Sequence, residues 1–266
     1  MKHNGPLALA FHALFVVFIL APLVVVCLVS FTPEGYVTIP TTEFSFRWFW
    51  AILDNPAFID ATLLSFYLAL ASATMAVLLS VPVALAIARY RFRGREALTA
   101  LFLSPLMVPH VVLGVSFLRF YTQIGISGTF IGLTLAHVII ILPYSLRLVL
   151  AAVTGLDRTA EKAAIALGAS SFTVFRRITL PLILPGIAGG WVLAFITSFD
   201  ELTMTVFVAS PSTTTLPVRM YAHITETIDP LIASISTVLI IATVVFMLLL
   251  EWFYGLDKLL VGRGRG

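Results

Sequence analysis

Six stretches of the chain, 7–31, 58–88, 97–121, 129–153, 182–209 and 231–254, are each long and apolar enough to cross a bilayer. A helix needs about 20 largely apolar residues, each rising 1.5 Å, to span a hydrocarbon core of about 30 Å. Of 266 residues, 60% are hydrophobic and only 11% are charged, with a mean hydropathy of +1.06. A soluble domain carries roughly 25% charged residues, so the solvent for most of this chain is lipid. The expected fold is an all-α integral membrane protein of six transmembrane helices. The single cysteine, Cys27, excludes a disulfide framework and a cysteine-based metal site. Nucleic-acid binding has no basis, because the basic residues sit between apolar runs and form no long basic stripe.

Charge placement orients the spans. With the N-terminus in the cytoplasm, the inner segments collect Lys2, Arg89, Arg91, Arg93, Arg95, Arg158, Lys162, Arg176, Arg177, Lys258, Arg263 and Arg265. The outer segments collect only Arg47 and Arg219. Both termini are therefore expected in the cytoplasm of a multi-pass inner-membrane protein. The first apolar run exceeds a usual signal core and ends in no small-x-small site, so it reads as an uncleaved anchor. Pro82, Pro105, Pro109, Pro143 and Pro185 fall inside spans, and Gly128/Gly132 and Gly186/Gly190 stand at GxxxG spacing. Such residues permit kinks and close helix approach, which suits a conducting bundle better than a rigid anchor.

The inner loop at 154–181 is the longest cytoplasmic connection and is not a plain linker. Glu161-Lys162-Ala163-Ala164-Ile165-Ala166-Leu167 is helix-forming, and Asp157 favours its N-terminal end. Gly168 breaks that helix, and Ala169-Ser170-Ser171 opens a second one with Ser170 as N-cap. The second helix, 172–178, carries Phe172 and Phe175, and Arg176-Arg177 near its end; Pro181 is expected to stop the loop at the membrane. A helix–turn–helix with small residues and exposed Phe is shaped to press into a groove on another protein, or else to lie on the membrane surface.

Ala163-Ala164, then Leu167-Gly168-Ala169-Ser170, then Ile178-Thr179-Leu180-Pro181 resembles the EAA loop of permease subunits in binding-protein-dependent ABC importers of type I fold. The distance from the glycine to the I-x-L-P end agrees, as does the place before the penultimate span. The resemblance implies a coupling loop made of Glu161, Lys162, Ala163, Ala164, Gly168, Ala169, Ser170, Phe172, Arg176 and Pro181, seated in a separate ATPase subunit. One departure stands out: the family's glutamate falls on Lys162, and whether Glu161 takes over its contact with the ATPase is open. The implied organisation is an N-terminal anchor and outer loop (1–57), a permease core (58–254) and a cytoplasmic tail (255–266). The implied partners are an ABC ATPase dimer, a second homologous permease, a periplasmic solute-binding protein and the bilayer. This chain then binds no cofactor and catalyses nothing; ATP and magnesium belong to the ATPase. The chain has no G-x-x-x-x-G-K-[ST] sequence, which fits that division of labour. His3, His12, His110, His137 and His223 are scattered over different segments, with packing or surface roles expected for each.

Ionisable residues inside a span mark function more often than those in loops. Ser198-Phe199-Asp200-Glu201 holds the only acidic pair within an apolar run. With 182–209 as the span, Ser198, Asp200 and Glu201 either meet a cationic substrate in the outer part of the pathway or cap a broken helix. Arg119 and Arg147 either snorkel to headgroups or pair with these acids. The sequence from Ser198 to Glu201, then Thr213-Thr214-Thr215-Leu216-Pro217 and Ile228-Asp229-Pro230, is similar to the spermidine/putrescine branch of the family. That branch also includes permeases for opines and 2-aminoethylphosphonate, so the resemblance implies an amine-bearing substrate, polyamine first. An ion-coupled secondary transporter using Asp200 and Glu201 is the alternative from another class, and it leaves the 154–181 loop unexplained.

Overall fold

The computed structural model describes residues 5–39 and 43–254, and among them every regular element is helical. The bilayer core has no water to satisfy exposed amides, so helices that close their own hydrogen bonds are what these apolar runs can form. In order they are α1 (Pro6–Val29), α2 (Arg47–Leu53), α3 (Pro56–Arg89), α4 (Arg95–Leu103), α5 (His110–Ile124) and α6 (Phe130–Thr154). There follow α7 (Thr159–Ala166), α8 (Ser171–Val174), α9 (Leu180–Phe199), α10 (Thr205–Val208), α11 (Leu216–Glu226) and α12 (Leu231–Tyr254). The tail at 255–266 and Lys2 lie outside the described residues.

The chain forms two compact units. One comprises Met1–Asp60 and Arg219–Leu249. Within it, the Ser234 hydroxyl donates to the Ser30 carbonyl at 3.2 Å, and Trp48 Nε1 donates to the Glu34 carbonyl at 3.0 Å. Asp229 accepts from the Leu231 amide at 3.0 Å and so caps α12, while His223 Nε2 lies 3.1 Å from the same carboxylate. The Arg219 guanidinium stands 5.6 Å from the centre of the Phe58 ring.

The other unit is built on Ala61–Val218, and α6 is its centre. Leu133, Ala136, Ile140, Ile141, Leu146 and Val149 of α6 are all buried. Helices in lipid gain nothing from hiding apolar surface, so close packing of small residues must hold them together. Gly186 and Gly190 supply it. A Cβ at Gly186 would stand 2.3 Å from the Ala152 Cβ, and one at Gly190 would stand 3.2 Å from the Ser145 carbonyl. The other GxxxG pair works differently. Gly128 sits at φ +70° in the turn before α6, and Gly132 accommodates the Ile126 carbonyl, so neither packs helix on helix.

Two expected spans differ in the structure. The run 97–121 is not one helix: Arg95–Met107 and His110–Ile124 meet at 103°. Pro109 is the cause, since it drives Val108 out of the helical region to φ −96°, ψ 127° and itself cannot donate. The run 182–209 is displaced in both directions. Helix is continuous from Ser171 to Phe199, so the second loop helix and the span are one rod and Pro181 stops nothing. A π turn at Phe175–Thr179 lies just ahead of Pro181, where the wider turn makes room for the proline ring. At its far end α9 stops at Phe199, leaving Asp200 as C-cap and Glu201 beyond the helix.

Gly186→Leu is expected to destabilise this unit by about 1–3 kcal/mol, because the helices cannot separate without losing their whole contact. Thermal unfolding in detergent micelles measures it, with Gly35→Ala as the control at a position with open space.

Candidate functional site

The loop at 154–181 is held by local rules at its surface and by long-range bonds beneath. Asp157 Oδ1 accepts from the Thr159 amide at 3.0 Å and hydroxyl at 2.7 Å, which starts α7. The same bonds from Thr159 hold the Asp157 carboxyl below its ordinary range. Gly168 ends α7 at φ +87°, a conformation that side chains disfavour. The Ser170 hydroxyl then accepts from the Thr173 amide at 3.3 Å and opens α8.

Glu161 points inward and is 2% exposed. Its carboxylate accepts from Arg89 at the end of α3 and from the Thr179 hydroxyl at the root of α9, and Arg158 Nε stands 3.4 Å away. Burial pushes the Glu161 carboxyl up, but the bonds from Thr179 and Arg89, the Arg89 charge and the Arg158 bond outweigh it. The net shift is downward, and the group is held as a carboxylate. Lys162, Ala163, Arg176 and Pro181 are exposed, while Ala164 and Ala169 are half-buried. Ile165, Leu167 and Phe172 stand out at 55%, 89% and 70% exposure, an apolar face uncovered by this chain.

At the other end of α9 the acidic pair splits. Asp200 is exposed. Glu201 is buried: Oε1 accepts from the Met204 amide at 2.7 Å, and Oε2 lies 2.9 Å from His110 Nδ1. His110 is the first residue of α5, delivered there by the break at Pro109. Next to it, the buried Ser198 Oγ lies 2.8 Å from His137 Nδ1, and His137 Nε2 lies 3.0 Å from Thr205 Oγ1. Gly114 completes the fit, since a Cβ there would come within 2.8 Å of Phe207 and 3.0 Å of the Met204 carbonyl. Ser198 and Glu201 thus spend their polar atoms joining α5, α6, α9 and α10, and only Asp200 is open. Arg119 and Arg147 are both exposed, and the basic group beside Glu201 is His110 instead.

The packing role expected of His137 is what the structure shows, but the partners of His110 and His137 were not read from the sequence. The signal for His137 was present: it is an ionisable residue in the middle of an apolar span, the same feature that drew attention to Asp200. His137→Leu is expected to cost about 1–3 kcal/mol by leaving the Ser198 and Thr205 hydroxyls buried without a partner. A double-mutant cycle with Ser198→Ala, read by unfolding in detergent, should show coupling between the two of about 0.5 kcal/mol or more.

The chain matches the family described as binding-protein-dependent transport system inner membrane component over residues 76–256. It is 32% identical over 240 residues to the spermidine/putrescine transport system permease protein PotC of Haemophilus influenzae, covering 90% of this chain and 93% of that one. To the putrescine transport system permease protein PotI of Escherichia coli K12 it is 32% identical over 243 residues, covering 89% and 86%. Its fold matches the crystal structure of a bacterial ABC transporter involved in the import of the acidic polysaccharide alginate. The TM-score is 0.69 at 14% identity, covering 94% of this chain and 96% of that one. The apolar spans, the loop at 154–181 and these likenesses agree: the chain belongs to the inner membrane components of binding-protein-dependent transport systems, as a multi-pass ABC transporter permease.

Proposed function

We propose that this chain forms half of the translocation path of an ATP-driven importer for a polyamine of the spermidine or putrescine kind. Likeness to polyamine permeases along nearly the whole chain carries the substrate class. In this reading a second permease completes the path and a periplasmic binding protein delivers the solute. Two copies of an ATPase subunit bind ATP and magnesium, and this chain holds no nucleotide.

The loop supplies the coupling. Its uncovered residues Leu167 and Phe172, with Lys162, Ala163 and Arg176 around them, are the surface that seats in the ATPase. Leu167 at the end of α7 and Phe172 in α8, on either side of the Gly168 turn, give the loop an apolar face of the kind that docks in a groove. Because α8 and α9 are one continuous rod, a displacement of the loop is carried along the span to Ser198 and Asp200. There Asp200, exposed and acidic at the end of α9, meets an ammonium group of the substrate. Ser198 and Glu201 hold the turn that presents it.

Gly168→Val forces a β-branched residue into a left-handed turn, at about 1–2 kcal/mol, and reshapes the docking surface. In proteoliposomes holding the full transporter, it should abolish ATP-dependent spermidine uptake and reduce recovery of the ATPase with the permease; wild-type values for both would sink the coupling role. Asp200→Asn should lower polyamine uptake several-fold with ATPase recovery intact. Unchanged uptake would leave Asp200 as a helix cap and nothing more.

A further inference from the structure

Glu161 has no route to an ATPase docked on the loop surface. Its side chain is 2% exposed, and both carboxylate oxygens are engaged by Arg89, Thr179 and Arg158. A buried carboxylate is costly unless every oxygen is engaged, and removing one partner of such a group loosens what the others hold. The three donors come from three different places: Arg89 from the last residue of α3, Arg158 from the turn before α7, and Thr179 from the π turn that leads into α9. Thr179 is itself fully buried, and the Arg89 side chain is 19% exposed.

Without this node α7 has little to hold it. It is eight residues long, too short to be stable alone, and its other side chains are mostly exposed. Its covalent link toward α9 passes through Gly168, a turn that side chains do not stiffen. The Glu161 node bypasses that turn.

We infer that Glu161 is a positioning residue, a clamp that locks α7 to the ends of α3 and α9 so that force on the coupling loop moves two membrane helices at once. The inference rests on the coupling role proposed above, and it assigns Glu161 to transmission and not to docking. Gln in its place offers an amide where two guanidinium groups need a carboxylate. The loop would still seat in the ATPase but slip against α3.

The test uses the full transporter, with the ATPase, the second permease and the binding protein present, in nanodiscs for hydrogen exchange and in proteoliposomes for transport. For Glu161→Gln the expected result has three parts. Amides of Thr159–Ala166 exchange hydrogen at least tenfold faster, the ATPase still co-purifies, and polyamine moved per ATP hydrolysed falls at least tenfold. Arg89→Gln should reproduce these changes, and Arg89→Lys should restore part of them. Thr179→Val, which removes one donor at constant shape, should show a smaller loss in the same direction, and it stands in if Glu161→Gln does not fold. Unchanged exchange across α7 in these variants overturns the clamp. Loss of ATPase association with α7 exchange unchanged would also overturn it, by making Glu161 a docking residue. If the wild-type assembly moves no polyamine, the transport reading fails, while the exchange data still decide the clamp.

Discussion

The close approach of α6 and α9 is the contact on which the larger unit depends. Lipid gives two apolar helices no reason to prefer each other over acyl chains, so shape and polar bonds must do the selecting. Gly186 against Ala152 and Gly190 against Ser145 bring the backbones together along the middle of the pair. The bond between Ser198 and His137 joins the same two helices farther out. Both candidate regions hang from this pair, since the 154–181 loop leads into one end of α9 and the acidic turn closes the other.

The structure treats two of its adjacent charged pairs alike. In Glu161-Lys162 and in Asp200-Glu201, one member is buried with its oxygens occupied and its neighbour is exposed. The buried member ties distant segments together, and the exposed one makes no such bond within the described residues. In α7, consecutive residues point about 100° apart, which turns Glu161 in and Lys162 out, whereas Asp200 and Glu201 diverge because α9 ends at Phe199.

The hydropathy of the sequence was enough to read the helical class and the apolar runs, five of which are helices long enough to cross a bilayer while the sixth, 97–121, is bent. Local chemistry was equally readable in the loop, where Asp157, Gly168 and Ser170 start, end and restart helices as their side chains dictate. What could not be read is direction and depth. Apolarity joins α9 to α10 as one run because only two acids interrupt it, although the helix ends at Phe199. Pro109 is visible as a proline and breaks the helix, but the size of the turn, 103°, is not written in the local sequence. The burial of Glu161 and Glu201 was hidden for a related reason. Their partners lie up to 72 and 91 residues away in sequence, and no periodicity reports such a meeting.

The break at Pro109 sets a condition on how this chain can exist in a membrane. From the inner surface, α4 and the tight turn after it rise roughly 20 Å, short of the roughly 30 Å hydrocarbon layer. With Arg95 at the inner surface, non-helical backbone falls within the bilayer, with Met107 87% exposed and Pro109 exposed beside it. Acyl chains cannot hydrogen-bond the carbonyls that a broken helix frees, and such backbone persists only where protein or a water-filled path covers it. The single chain is therefore an unfinished solute of the bilayer, and its lifetime outside an assembly is set by how long that notch stays bare.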